Sequence, residues 1–255
     1  MQSINFSVLV LSVVGGKGGV GKTTVALAIA KVLSSKFRVG FVDADITGAN
    51  AHLMLKIVNP FEVIRSKDTL EIIPAVAELD GRPIKFLSVA VFGDTYVKWS
   101  EDRISDFCDI IFSKTKWDCD FLVVDTPPGL HAENIKVLEK SDRVVLVTIP
   151  AKFAESDYLK TIEYLRDISA KIAGVYVNFS YIKCECGGIL RPFKYNFDYR
   201  VPVIEEIPFV SSMPELDYNK LINAIENPIV LKKESVYHKV KEGLLSSLLE
   251  VIGRV

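Results

Sequence analysis

The chain has 255 residues, 49% hydrophobic and 25% charged, a balance that suits an ordinary globular domain. A formal net charge of -1 lacks the basic excess of a dedicated nucleic-acid binder, so nucleic acid is not an expected partner. No stretch reaches the roughly 18 apolar residues of a membrane span, and Met1–Asn5 offers no basic start for a signal peptide, so a cytoplasmic location is expected.

In chain order, short runs rich in Val, Ile and Phe alternate with segments of helical spacing. The apolar runs Phe6–Val14, Val39–Val42, Phe86–Val91, Phe121–Val124, Arg143–Ile149 and Ile172–Val177 have strand length, and several show no alternation. That pattern marks parallel strands covered on both faces. Between them, Thr23–Ser34, Glu101–Lys114, Asn134–Lys140 and Ser156–Ala170 carry apolar residues at helical spacing. The expectation is one α/β domain over 1–255, a doubly wound, mostly parallel sheet with helices on both faces. Lys56–Asp80 is less regular, with Leu70–Ile73 as a short strand, and Cys184–Val201 reads as an irregular insertion. Val236, Val240, Leu244, Leu248, Val251 and Val255 predict a final amphipathic helix near 236–255. Its Lys239, Lys241 and Arg254 are offset by Glu242 and Glu250, which favours packing on protein over a membrane surface.

Gly16-Lys17-Gly18-Gly19-Val20-Gly21-Lys22-Thr23 satisfies the P-loop pattern directly after the first strand, and with Thr24 it opens a helix. Glycines allow the positive φ values that aim successive N–H groups at one anion, and the helix N-terminus adds its own unpaired N–H groups. Lys22 is expected on the β- and γ-phosphates and the Thr23 hydroxyl on Mg²⁺, with ATP hydrolysis as the activity. Lys17 is a second lysine in the loop, the mark of the deviant Walker A class. In that class it reaches the nucleotide of the other subunit of a dimer, much like an arginine finger.

Asp43 and Asp125 close apolar strands, and Asp45 follows two residues after Asp43. Ligands of open parallel sheets lie beyond the carboxyl ends of the strands, so these side chains converge on the P-loop. Asp125 fits the Walker B position on the metal, Asp43 the metal side and Asp45 the attacking water. Asp125-Thr126-Pro127-Pro128-Gly129 fits a switch loop that senses the γ-phosphate.

On these motifs the chain resembles the Mrp family of iron–sulfur cluster carrier ATPases, within the ParA/MinD group. The matching stretches are Gly15–Thr24, Asp43–Leu55, Val97–Phe107, Trp117–Gly129, Val144–Asp157 and Gly174–Gly188. The resemblance implies that Asn178 recognises adenine and that the segment after Pro208 borders the base. It also implies that Cys184 and Cys186 bind a metal centre at a homodimer interface, a [4Fe–4S] cluster passed to recipient apoproteins. Three departures stand out. A single residue, Glu185, separates the cysteines where the family usually has two; Leu130-His131-Ala132-Glu133 replaces the usual "GTGD"; and Trp99-Ser100-Glu101 stands for "WRG".

Read from chemistry alone, the Cys184/Cys186 pair is half of a tetrahedral site for a cluster or for zinc, or a pair of unligated thiols. A symmetric dimer would complete the four ligands. Cys108 and Cys119 lie among apolar and aromatic residues and read as buried thiols. The leading expectation is an ATP-hydrolysing homodimer that assembles or carries an iron–sulfur cluster. The alternatives are a ParA/MinD-like positioning ATPase acting on DNA or membrane, and a metallochaperone for another metal.

Overall fold

The computed structural model describes residues 8–45, 48–66, 69–88, 107–129, 132–193 and 195–232, with only the backbone at 132 and 133. The expected C-terminal helix, the "WRG" position and most of the Val97–Phe107 motif lie outside the described residues, as do Leu130 and His131.

Strand β1 (Leu9–Val14) leads through the glycine loop into helix α1 (Lys22–Leu33), and β2 (Val39–Asp43) returns to the sheet. A 3₁₀ turn (Ala51–Met54) is followed by four strands: β3 (Lys56–Asn59), β4 (Glu62–Arg65), β5 (Leu70–Ile73) and β6 (Ala75–Leu79). Then come β7 (Arg82–Ser88), a π-helical turn (Ile110–Lys114), β8 (Phe121–Asp125), α2 (Ala132–Glu139), β9 (Arg143–Thr148) and α3 (Lys152–Asp167). The described chain closes with β10 (Ile172–Lys183), β11 (Ile189–Leu190), β12 (Val203–Pro208) and α4 (Tyr218–Glu226).

The main sheet has the order β11-β10-β9-β1-β8-β2-β7-β6-β3, with β12 also paired to β10. Strands β12, β10, β9, β1, β8, β2 and β7 run parallel, while β6 and β3 extend the far edge antiparallel. The parallel strands are apolar throughout because both faces are covered. On one face Leu11, Val13, Phe41 and Val145 pack with α1 (Val25, Leu27, Ile29) and α4 (Leu221, Ile225). On the other, Val14, Leu146 and Val175 pack with α3 (Tyr158, Ile162, Leu165) and Leu138 of α2. Val42, Leu87 and Val124 pack there with Phe107, Ile111 and Trp117. This is the expected doubly wound α/β fold, and Cys108 and Cys119 are buried thiols within it.

Several boundaries differ from expectation. Lys56–Asp80 is not irregular. It supplies β3 and β6 to the sheet edge and a separate two-stranded sheet, β4–β5. The β6–β7 hairpin turns on Asp80 and Gly81, whose φ values of 52° and 74° are those of a type I′ turn. Strand β10 runs six residues past Val177 to Lys183 and pairs with β11, so the first part of the supposed insertion is the turn and return strand of a hairpin. The remainder crosses α3 as a strap whose Tyr195, Phe197 and Tyr199 pack in the same core as Tyr158.

Candidate phosphate-binding site and cysteine hairpin

The carboxyl ends of β1, β2 and β8 converge on one crevice, because β8 lies between the other two in register: Val13 opposite Asp125 and Asp125 opposite Asp43. The glycine loop enters it under tight constraint. A Cβ on Gly16 would come within 2.5 Å of the Asp157 backbone in α3. Gly21 has φ 80°, and a Cβ there would meet Asn178 Nδ2 at 2.2 Å. Gly18 and Gly19 face open space, so the loop is pinned at its two ends and free in the middle.

Lys22, 8% exposed, donates to Asp125 Oδ1 at 2.7 Å. Asp125 is wholly buried, and burial pushes its pKa up, opposed by Lys22 and Thr23 and reinforced by Asp45. Its other oxygen, Oδ2, is buried with no hydrogen-bond partner. Asp43 is also buried; desolvation first, then the Asp125 charge, pushes it up to about 7. Asp43 accepts the Ala51 N–H at 2.9 Å on Oδ2 and the Asp45 N–H at 3.3 Å on Oδ1, so it organises the loop after β2. The strand stops at Asp43, so Asp45 lies on the loop beyond it. The loop places it, half-buried, with Oδ1 accepting the Gly48 N–H at 3.0 Å.

The switch-loop prolines have no N–H of their own to give. The loop is held from outside. Thr126 N and Oγ1 both donate to the Val13 carbonyl at 3.2 and 2.9 Å, and Gly129 N donates to the Gly15 carbonyl at 3.3 Å. Buried Asn134 of α2 donates to the Pro127 carbonyl at 2.8 Å and to the Gly129 carbonyl.

Beside the loop, Thr24, Met54, Asn178, Phe179 and the Val210–Pro214 segment line a cavity of about 160 Å³. The segment after Pro208 therefore borders it, Pro208 itself being the last residue of β12. Asn178 is 3% exposed and donates from Nδ2 to the Val20 carbonyl at 2.9 Å, so its amine end is committed to the phosphate loop. Phe179, next in β10, has φ 52°, strained for an aromatic residue, at the point where the pairing with β12 shifts register.

Cys184 and Cys186 stand exposed at the tip of the β10–β11 hairpin. Their turn is closed by Cys184 N to the Gly188 carbonyl and Gly187 N to the Cys184 carbonyl, both 2.9 Å, with Gly187 at φ 82°. Hydrogen bonds from the Cys184 thiol first, then from the Gly188 backbone, hold the Cys186 thiol below its ordinary value. Ile182, Ile189 and Leu190 are exposed beside the pair. Among the described residues no group of three or more His, Cys, Asp or Glu side chains could hold a metal within one chain. None of the described helices is long and apolar enough to cross a membrane.

Sequence reasoning missed Met54, Asn134 and Phe153, whose ring lies under Lys17. Asn134 and Phe153 had a signal, the first as a polar residue inside an apolar helical pattern and the second as an aromatic in the first turn of a helix. Met54 had none.

A glycine loop between a buried strand and a helix, facing carboxylates at the ends of neighbouring parallel strands, defines a P-loop NTPase of the ParA/MinD type. The chain matches the ParA family model described as "NUBPL iron-transfer P-loop NTPase" over residues 7–248 and belongs to that family of iron–sulfur cluster carrier P-loop NTPases. It is 35% identical over 213 residues to an iron-sulfur cluster carrier protein of Rickettsia conorii, covering 81% of this chain and 63% of that one. It thus spans less than two thirds of that relative's length. It is 30% identical to the cytosolic Fe-S cluster assembly factor CFD1 of Kluyveromyces lactis, covering 98% of this chain and 92% of that one. In fold it is similar to a nucleotide-binding protein of Archaeoglobus fulgidus in complex with ADP, with TM-score 0.62, 24% identity and coverage of 85% and 86%. It is also similar to MinD of Pyrococcus horikoshii complexed with Mg-ADP, with TM-score 0.56, 20% identity and coverage of 86% and 95%.

Proposed function

We propose that the protein is an ATP-binding, slowly hydrolysing homodimer that assembles or carries an iron–sulfur cluster for recipient apoproteins, held by Cys184 and Cys186 of both protomers. The observation that carries this reading is the pair of exposed thiols at the tip of a strand whose Asn178 is bonded to the phosphate loop. Two thiolates per chain leave a tetrahedral site half complete, and an isologous contact supplies the other half. The exposed Ile182, Ile189 and Leu190 give that contact apolar area. A cluster held at such a rim is bound from outside and released to the outside, as cargo must be.

At the nucleotide site the N–H groups of Gly18–Thr23 receive phosphate oxygens, and Lys22 exchanges Asp125 for a β- or γ-oxygen. The residues fit Mg²⁺: Asp125 has an unpartnered buried oxygen, and the neighbouring Asp43 is a second buried carboxylate whose pKa burial and then the Asp125 charge push up. Thr23, Asp43 and Asp125 would hold the ion, which neutralises phosphate charge when bound. Asp45 orients the attacking water from its loop. With one Nδ2 hydrogen on Val20, Asn178 can offer a base its Oδ1 as acceptor and its second Nδ2 hydrogen as donor. Oδ1 is placed to accept from an adenine amino group.

Asp45→Asn tests the hydrolytic assignment. The variant should bind ATP with nearly unchanged affinity while turnover falls about 100-fold or more, the usual weight of a positioned base. Normal turnover would move the water to another residue.

A further inference from the structure

Lys17 has no ion pair among the described residues. Its ammonium lies 4.8 Å from the centroid of the Phe153 ring. Phe153 is the second residue of α3 and 58% exposed, so the ring has an open face as well as a supported one. Its support is Phe193 of the strap that follows the cysteine hairpin, edge-on at 6.5 Å between centroids. One helical turn further along α3, the Asp157–Tyr158 backbone backs Gly16, with no room for a Cβ. The first two turns of α3 therefore form a shelf for the entry half of the phosphate loop. Gly16 is fixed to it by backbone packing and Lys17 by the attraction of a cation for an aromatic face.

We propose that Phe153 is a positioning residue for Lys17: it holds the ammonium on its own protomer until the phosphates on a second protomer offer a stronger anion. This rests on the reading that Lys17 acts across a dimer. Each protomer must give up one cation–π contact when the active dimer forms, so the ring sets the protein concentration at which hydrolysis begins. An exposed contact of this kind shifts an equilibrium about two- to fivefold. Two such contacts are lost per dimer, so removing the ring should tighten dimerisation by about 5- to 30-fold.

The test is steady-state ATP hydrolysis by the full chain across a range of protein concentrations, for wild type, Phe153→Leu, Phe153→Trp, Lys17→Ala and the Lys17→Ala/Phe153→Leu double variant. Phe153→Leu, which stays apolar but removes the ring, should move the midpoint to lower protein concentration by about 5- to 30-fold. Phe153→Trp, with the stronger quadrupole, should move it the other way. Lys17→Ala should hydrolyse poorly at every concentration, and Phe153→Leu should change nothing further in that background. Opposite signs for Leu and Trp, both dependent on Lys17, are beyond what a packing role for the ring would produce. Identical midpoints for the Leu and Trp variants beside an impaired Lys17→Ala would overturn the proposal while leaving the cross-subunit lysine intact. A midpoint raised by Leu would overturn it too, assigning the ring to the contact between protomers. A Lys17→Ala protein that turns over normally would remove the cross-subunit reading itself, and the proposal with it.

Discussion

Replacing Gly21 by alanine puts a methyl group at the N-cap of α1, where φ is 80° and the new Cβ would lie 2.2 Å from Asn178 Nδ2 and 3.3 Å from the Phe179 ring. The left-handed backbone alone costs an alanine about 1–2 kcal/mol. Asn178 cannot move aside freely, because it is 3% exposed and Nδ2 is bonded to the buried Val20 carbonyl. Breaking that bond and leaving the carbonyl unpaired adds about 1–3 kcal/mol. Gly21→Ala should therefore lower stability by about 2–5 kcal/mol, a Tm drop of roughly 5–15 °C for a domain of this size. In an Asn178→Ala background the obstruction is gone, and Gly21→Ala should cost only the backbone part. Urea unfolding of the four proteins in the double-mutant cycle should then give a coupling of about 1–3 kcal/mol. Costs that add to within about 0.5 kcal/mol would show that Asn178 does not brace the loop.

Asp43 should make stability depend on pH when divalent metal and nucleotide are withheld. Its folded pKa of about 7 lies above the ordinary 3.8, so between these values the folded state holds a proton the unfolded chain has lost. Stability should fall as pH rises through that window and level off above pH 7. Each pH unit is worth ~1.4 kcal/mol, so the fall attributable to this group is up to ~4 kcal/mol. Asp43→Asn should flatten the profile in thermal melts from pH 4 to 8, and an unchanged slope would remove Asp43 as its source. Two glycines of the same motif should behave unlike each other. Gly16→Ala meets the Asp157 backbone and should cost about 1–3 kcal/mol. Gly18→Ala faces open space and should stay within about 0.5 kcal/mol of wild type. Equal costs in parallel melts would contradict the docking of Gly16 on α3.

The parallel core was legible because burial on both faces leaves continuous apolar runs, and five of the six expected strands coincide with described strands to within a few residues at their starts. The sixth, β7, begins at Arg82, four residues before the apolar run, because its first residues pair with β6 at the half-exposed edge. The edge itself was harder to read. Every residue of β3 and β4 is exposed, so no buried apolar face marks them, yet Asp80-Gly81 carried a hairpin signal. The strap after the hairpin also had a readable period of two in Phe193, Tyr195, Phe197 and Tyr199, obscured by the polar residues between them. At the site, residue types and strand ends located Lys22, Asp43 and Asp125 in one crevice. Which hydrogen bonds they make depends on chain geometry far away in sequence. Lys22 meets a carboxylate 103 positions on, and Asn178 meets a loop carbonyl 158 positions back. No local pattern encodes such distances, so the commitment of Asn178 Nδ2 to Val20 emerged only from the fold.

On this reading Cys184 and Cys186 hold a transferable cluster between two protomers. Anaerobic reconstitution with iron and sulfide, wild type beside Cys184→Ala/Cys186→Ala, tests it directly by metal analysis, visible absorbance and mass in solution. The wild type should form a dimer with about four irons, lost in the double variant. A wild-type protein that takes up only zinc, or no metal at all, or a double variant that binds iron equally well, would contradict it.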